Sequence, residues 1–132
     1  MRLISLGGLA VVLFSPAGWS APATEDPASA WVGTWQVSLI YDSTQPPSQT
    51  EMVITEATDA TLKGRFYGTE FRIARSTSSG QDLIFTAITE DGTGDYIHSG
   101  RLTGSQIQGQ TLSIGREFLM PWTATKVADQ TE

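Results

Sequence analysis

The chain contains no cysteine and only one histidine, His98. Disulfides, cysteine-ligated metals and a lipid-modified cysteine are therefore excluded, and a zinc site is not expected because zinc needs three or four such ligands. Eight basic residues against fourteen acidic ones give a net charge of -6, which argues against binding to nucleic acid or an anionic membrane surface. No phosphate-binding loop or nucleotide fingerprint is present. The sequence thus predicts no metal, no cofactor and no nucleic-acid partner.

Long apolar runs are missing except near the N-terminus. Arg2 precedes the apolar stretch 3–14, and the small residues Ser20, Ala21 and Ala23 follow it. The stretch is too short to span a bilayer and has no basic flank behind it, a pattern typical of a secretory signal peptide. We predict a signal peptide over 1–23, with cleavage near Ser20 or Ala23, no membrane span in the mature chain, and a periplasmic or secreted location. About 110 residues remain, enough for one core.

The rest of the chain reads as short strands and turns. Residues 24–30 are polar and contain a proline, which predicts a flexible tether, and 128–132 form a short tail. No helical apolar stripe occurs between them, so 31–127 is predicted to be one β-barrel domain. Eight strands are predicted, at 31–41, 51–56, 61–67, 70–76, 82–89, 95–102, 107–114 and 117–127.

The connections are too short for crossover helices, which favours an antiparallel meander. Eight strands is also a number at which one sheet commonly closes and fills its own interior. We therefore expect an eight-stranded antiparallel up-and-down β-barrel, with a β-sandwich as the alternative.

Alternation along the strands predicts which side chains face inward. The first strand is expected to point Trp35 and Leu39 inward, and the fourth Phe71 and Ile73. The fifth strand carries apolar residues at both parities, which indicates burial on both faces or a bulge. A second bulge is expected near Gly109, where the apolar parity of the seventh strand changes.

Two motifs at the ends of the domain resemble those of a known family. Gly33-Thr34-Trp35 resembles the G-x-W signature of calycins, which include the lipocalins. The segment from Trp122 to Lys126 resembles the W-x-A-x-[RK] ending of small bacterial periplasmic lipocalin-like domains of unknown function. The chain departs from the family in having no T-D-Y motif, no disulfide pair, and Met120 where the small bacterial domains carry glycine.

The resemblance implies how the barrel closes. In calycins the first-strand tryptophan packs at the closed end beneath a basic side chain of the last strand. Carried over, Gly33 and Trp35 lie at the closed end and Lys126 covers Trp35, with Arg116 as the other candidate. A cation over an indole face contributes about 0.5 to 2 kcal/mol.

Three functions are compatible with these features. The first is binding of a small, partly apolar molecule in the open end, since barrel mouths are common ligand sites. Its lining is expected to come from the inward set: Val37, Leu39, Tyr41, Phe66, Phe71, Phe85, Tyr96, Met120 and Trp122. The second is an envelope interaction or inhibitor module that acts through the loops 42–48 and 77–81.

The third function, and the least favoured, is a barrel isomerase or cyclase. Tyr96 and His98 share one face of the sixth strand, and a histidine near neutral pKa is able to move protons. A single histidine in a strand is more often a hydrogen-bonded wall residue, so the sequence favours binding over catalysis.

Overall fold

The computed structural model describes residues 27–127; the predicted signal peptide and C-terminal tail lie outside the described residues. The described chain is a 3-10 helix followed by nine strands. The helix is Pro27–Trp31, and the strands are β1 (Gly33–Leu39), β2 (Ser48–Thr58), β3 (Thr61–Phe66), β4 (Thr69–Glu70), β5 (Ile73–Ser79), β6 (Asp82–Asp91), β7 (Gly94–Thr103), β8 (Gln106–Ser113) and β9 (Phe118–Lys126). Within this part of the chain no helix has the length and apolarity needed to cross a membrane.

All nine strands form one antiparallel sheet that closes on itself. The strand order is β2-β1-β9-β8-β7-β6-β5-β3-β4, and an additional β2–β3 pairing completes the ring. The two-residue strand β4 pairs with β3 outside that ring, which leaves eight strands in the wall. The predicted antiparallel barrel is confirmed and the sandwich alternative is wrong. The architecture is compatible with a calycin-like fold.

The barrel has two different ends. The 3-10 helix and the turns at 59–60, 80–81 and 104–105 lie at one end, which we call the closed end. The longer 40–47 loop and the turns at 67–68, 92–93 and 114–117 surround the other, the open end. Consecutive strands run in opposite directions between the two ends, so each of the eight wall strands has one terminus near the closed end and the other near the open end.

The 3-10 helix plugs the closed end. Its last residue, Trp31, is completely buried and packs edge-on against Phe85 with ring centroids 5.1 Å apart. The Trp31 carbonyl also accepts a 2.9 Å hydrogen bond from Trp35 Nε1. The segment predicted as a flexible tether thus ends in ordered structure from Pro27 onward, because Trp31 has an apolar place to bury its ring.

Lys126 lies over the first-strand tryptophan. Its Nζ is 5.2 Å from the centroid of the Trp35 ring and donates a 2.7 Å hydrogen bond to the Ala30 carbonyl. The register of β1 and β9 places Lys126 directly opposite Trp35. Arg116, the other candidate for this contact, lies at the open end.

The predicted fourth strand is wrong in its phase. The chain pairs with β3 as far as Glu70, leaves that ladder, and begins β5 at Ile73. The two residues between the strands reverse the alternation, so Ala74 and Ser76 face inward while Ile73 is 56% exposed. Phe71 is only half-buried.

The bulge predicted near Gly109 is absent, and so is the bulge offered as one alternative for the fifth strand. β6, β7, β8 and β9 pair in continuous register, and the one register shift in the sheet of the described residues lies between Ile54 and Glu56 in β2. The extra apolar residues instead face outward and meet their neighbours across five strands. This outer row is Ile73, Ile88, Ile97, Leu112 and Leu119, each paired with the next. Cross-strand contact gives such residues partial burial without an interior position.

Gly109 marks a close approach in the wall. A Cβ at this position would overlap the Trp122 ring and lie 2.6 Å from the Ser99 carbonyl oxygen. Gly64 is similar, because its Cβ would overlap the carbonyl of Val53. Both glycines follow an aliphatic residue by two positions, in Leu62-Lys-Gly64 and Ile107-Gln-Gly109. The repeat therefore reflects steric need at two places in the wall.

Gly109→Ala is expected to lower the free energy of unfolding by about 1 to 3 kcal/mol, because the added methyl forces the Trp122 ring or the β7 backbone to move. Gly92→Ala is the matched control, since a Cβ there meets no atom within 4 Å and the backbone is not left-handed. Urea denaturation measures both. Equal stability of the two variants would contradict the packing account.

Lys126→Met is expected to lower the free energy of unfolding by about 1 kcal/mol, because the alkyl stem stays while the cation over Trp35 is lost. Lys63→Met serves as the control. Its ion pair with Glu56 is long, at 3.7 Å, and exposed, so its loss should change stability by less than about 0.5 kcal/mol. A Lys126 effect no larger than that of Lys63 would argue against the cation-indole contact.

Candidate functional site

A cavity of about 330 Å³ opens at the open end of the barrel. We call it the mouth cavity. All three tyrosines of the chain line it, together with apolar, hydroxyl and charged side chains. The full lining is Tyr41, Phe66, Tyr67, Thr69, Thr89, Asp91, Tyr96, His98, Thr111, Arg116, Phe118 and Met120.

His98 forms the floor of the mouth cavity. It faces inward from β7 and is only 3% exposed, and its ring stacks on Phe66 with centroids 4.1 Å apart. Strands β6 and β8 flank β7, and each supplies an inward threonine to the imidazole. Thr89 Oγ1 lies 2.9 Å from His98 Nε2, and Thr111 Oγ1 lies 2.8 Å from Nδ1.

The imidazole is neutral at physiological pH. Burial lowers the pKa of His98 from 6.5 to about 4, because the charged form loses its hydration inside the barrel. Among the described residues no carboxylate is hydrogen-bonded to the ring, so nothing compensates for that loss. One ring nitrogen therefore carries a proton and donates a hydrogen bond, and the other nitrogen accepts a hydrogen bond.

Either tautomer leaves one threonine hydroxyl hydrogen free. Trp122 Nε1 donates a 2.9 Å hydrogen bond to Thr111 Oγ1, so this oxygen is already an acceptor. If Nδ1 holds the proton it donates to Thr111, Nε2 accepts from Thr89, and the Thr111 hydrogen is left over. If Nε2 holds it, the roles reverse and the Thr89 hydrogen is left over. Both threonines line the mouth cavity, so in either tautomer one hydroxyl hydrogen of its wall is not used by the imidazole.

The rim carries tyrosines around the Arg116 guanidinium, whose charge also lowers the pKa of Asp91 at the same rim. Burial and the neighbouring Tyr67 raise the pKa of Tyr41, while Arg116 lowers it, so these side chains are close together. The Arg116 guanidinium makes no ion pair or hydrogen bond to any residue of the described chain. Tyr67 has a left-handed backbone, with φ of 55°. A bulky residue in that region is strained, and here the turn holds its ring at the mouth.

Asp91 is held as a carboxylate at the same rim. Thr93 donates to Asp91 Oδ1 from its hydroxyl at 2.7 Å and from its backbone at 2.8 Å, and these bonds lower the pKa of Asp91. Because the Thr93 hydroxyl hydrogen is already used, Tyr96 must be the donor in its 2.9 Å contact with Thr93. Tyr96 is thus fixed in place and offers its oxygen as an acceptor.

The structure brings together some of the predicted lining residues and separates others. Tyr41, Phe66, Tyr96 and Met120 line the mouth cavity, and so does His98. The other five predicted lining residues lie elsewhere. Val37, Leu39, Phe85 and Trp122 are buried in the core, and Phe71 lines a different cavity on the outside of the barrel.

Sequence reasoning missed much of the polar lining, namely Tyr67, Thr89, Asp91, Thr111 and Arg116. Thr89 had a usable signal, because it shares its parity with the inward Phe85 and Ala87. No sequence pattern indicated the position of Arg116, because it lies in a turn whose direction depends on how β8 and β9 meet.

The site is better suited to holding a molecule than to acid–base chemistry. With a pKa of about 4, His98 is a weak base at neutral pH, far from the value that favours proton transfer. In the part of the chain that the structure describes, no three carboxylate or imidazole groups gather in a way that could hold a metal ion. The chemistry present is hydrogen bonding, one cation, one carboxylate and an apolar wall.

Comparison with known proteins adds no functional assignment: no family model, no curated protein and no solved structure matches this chain.

The buried histidine predicts a pH dependence of stability. Because the folded-state pKa of about 4 lies below the unfolded value of 6.5, the unfolded chain binds the proton first as the pH falls. The contribution of His98 to the free energy of unfolding is therefore constant above about pH 7 and is lost as the pH falls toward 4. Between pH 7 and pH 5 the loss should be about 2 kcal/mol.

Urea denaturation of wild type and His98→Gln at both pH values measures that difference, and the variant should lack this component. If the variant does not fold, the imidazole Cε1 proton of the wild type gives the same answer by NMR. A titration midpoint near 6.5 would show that His98 is not held neutral by burial.

Proposed function

We propose that this protein is an exported binding protein that holds a small, partly apolar carboxylate in the mouth of its barrel. The observation that carries the proposal is the composition of the mouth cavity: an unpaired arginine at the rim, a spare hydroxyl donor at the floor, and aromatic walls between them. The signal-like N-terminal segment and the G-x-W start of the barrel support an exported, lipocalin-like protein.

The apolar part of the ligand would contact Phe66, Phe118 and Met120. A volume of about 330 Å³ lies at the lower end of the range for small-molecule sites, roughly 300 to 1,000 Å³. The ligand is therefore small, of the size of one aromatic ring or a short alkyl chain with its polar group.

The polar part of the ligand is expected to be an acceptor and negatively charged. Arg116 has donors with no partner in the described chain, and guanidinium binds carboxylate in a bidentate manner. The floor supplies a further hydroxyl donor whichever tautomer His98 adopts. Asp91 at the rim disfavours ligands with several negative charges, so a monocarboxylate fits best.

The test compares two ligands of one shape, phenylacetate and its neutral amide, phenylacetamide. Trp122 provides a reporter, because its indole hydrogen is bonded to Thr111, which faces the cavity. We expect phenylacetate to shift the Trp122 indole cross-peak in ¹H–¹⁵N spectra in a saturable manner, and the amide to bind more weakly.

Arg116→Gln should weaken phenylacetate binding roughly 10-fold or more, as expected for a hydrogen bond to a charged group. Arg101→Gln is the control, since Arg101 is paired with Asp82 at 2.9 Å at the closed end. If Arg101 matters as much as Arg116, the mouth is not the site. If neither phenylacetate nor phenylacetamide nor any member of a wider panel of monocarboxylates binds, the proposal fails. That result would favour the envelope-interaction interpretation.

A further inference from the structure

The barrel wall has one weak seam, between β3 and β5. These strands share a single paired position, Thr61 with Arg75, whereas β5 pairs with β6 along its whole length. Beyond that position Leu62 and Lys63 have no ladder partner in β5. The backbones meet again only where Phe71 N donates to the Gly64 carbonyl at 2.8 Å.

A second cavity, of about 490 Å³, occupies this seam. We call it the seam cavity. It opens on the outside of the barrel, and its base is formed by the buried side chains of Leu62 and Ala74. The detour of the chain around Phe71 and Arg72 creates the space, since β4 and β5 leave a gap where one continuous strand would have closed the ladder.

Positive charge is concentrated around the seam cavity. Four of the eight basic residues of the chain line it: Lys63, Arg65, Arg72 and Arg75. Glu70 is the one acidic side chain in the lining. Four cations in the lining thus stand against one carboxylate, while Glu56, Glu90 and Asp95 beside the cavity pair with two of the four. The sequence did not predict this grouping, because the β3 residues reach the β5 residues only through the fold.

The cations differ in how they are neutralised. Arg72 is fully engaged, with Glu90 at 2.9 Å and Asp95 at 3.0 Å. Lys63 has a long contact of 3.7 Å with Glu56. Arg65 and Arg75 form no ion pair with any described residue, although Arg65 lies opposite Glu70 in the β3–β4 ladder. Two guanidinium groups from different strands therefore border one cavity without an ion pair to a described residue.

We propose that the seam cavity is a second binding site, for a small anion that carries at least two carboxylate or phosphate groups. Guanidinium binds either group in a bidentate manner, and two arginines without an ion pair line this one cavity from separate strands. The site is distinct from the mouth cavity in position and in ligand charge, so it does not depend on the function proposed for the mouth.

The probes are citrate and pyrophosphate, with acetate as the monoanion control at constant ionic strength. We expect citrate or pyrophosphate to produce saturable shifts of the backbone amides in 61–65 and 70–75 in ¹H–¹⁵N spectra. A stronger response to citrate assigns the site to polycarboxylates, and a stronger response to pyrophosphate assigns it to phosphate compounds. No saturable shift, or shifts equal to those from acetate, overturns the proposal.

Variants separate a built site from general charge attraction. Arg65→Gln and Arg75→Gln should each weaken binding of the better probe about 10-fold, whereas Arg101→Gln, at the closed end, should leave it unchanged. Glu70→Gln should strengthen binding, because it removes the one acid in the lining. If Arg101→Gln weakens binding as much as the seam variants, or if Glu70→Gln has no effect, the anion binds exposed cations without selectivity for the seam cavity and the site is rejected.

Discussion

The interior of this barrel depends on one continuous column of ring contacts. Trp31 meets Phe85 at 5.1 Å, Phe85 meets Trp122 at 6.4 Å, Trp122 meets Phe66 at 5.3 Å, and Phe66 stacks on His98 at 4.1 Å. A closed eight-stranded sheet has an interior that side chains can just fill. The column fills it from the closed end as far as His98, and the mouth cavity begins where the column ends.

His98 is the boundary between a packed core and a polar mouth. An imidazole at this depth is tolerated because it is neutral and because Thr89 and Thr111 satisfy both ring nitrogens. The same bonds tie the floor of the mouth to Trp122 in the core through Thr111. The residue that completes the core therefore also prepares a hydrogen-bond donor for a ligand, and one network supports both packing and recognition.

Basic residues are scarce in this acidic chain, and the fold places most of them where a ligand could use them. Arg116 stands at the mouth and four others surround the seam. The seam exists because the chain leaves the β3 ladder after Glu70 and resumes pairing at Ile73 with the opposite phase. The same two-residue detour explains why the inward facing predicted for Ile73 was wrong, since the spacing of apolar residues does not show where a strand is interrupted. Phe71, inside the detour, is half-buried against the core.

The sequence alone determined the strand content, the closure of the sheet and the inward faces of β1 and β9, because period-two alternation and short turns are local properties. The calycin-like ends also pointed to the contact between Trp35 and Lys126. Tertiary structure alone decided the sites. The pairing of His98 with its two threonines needs the register of three strands, and the grouping of Arg65 and Arg75 around one cavity needs the β3–β5 seam. Distances between strands arise only when the sheet closes, so no local pattern contains them.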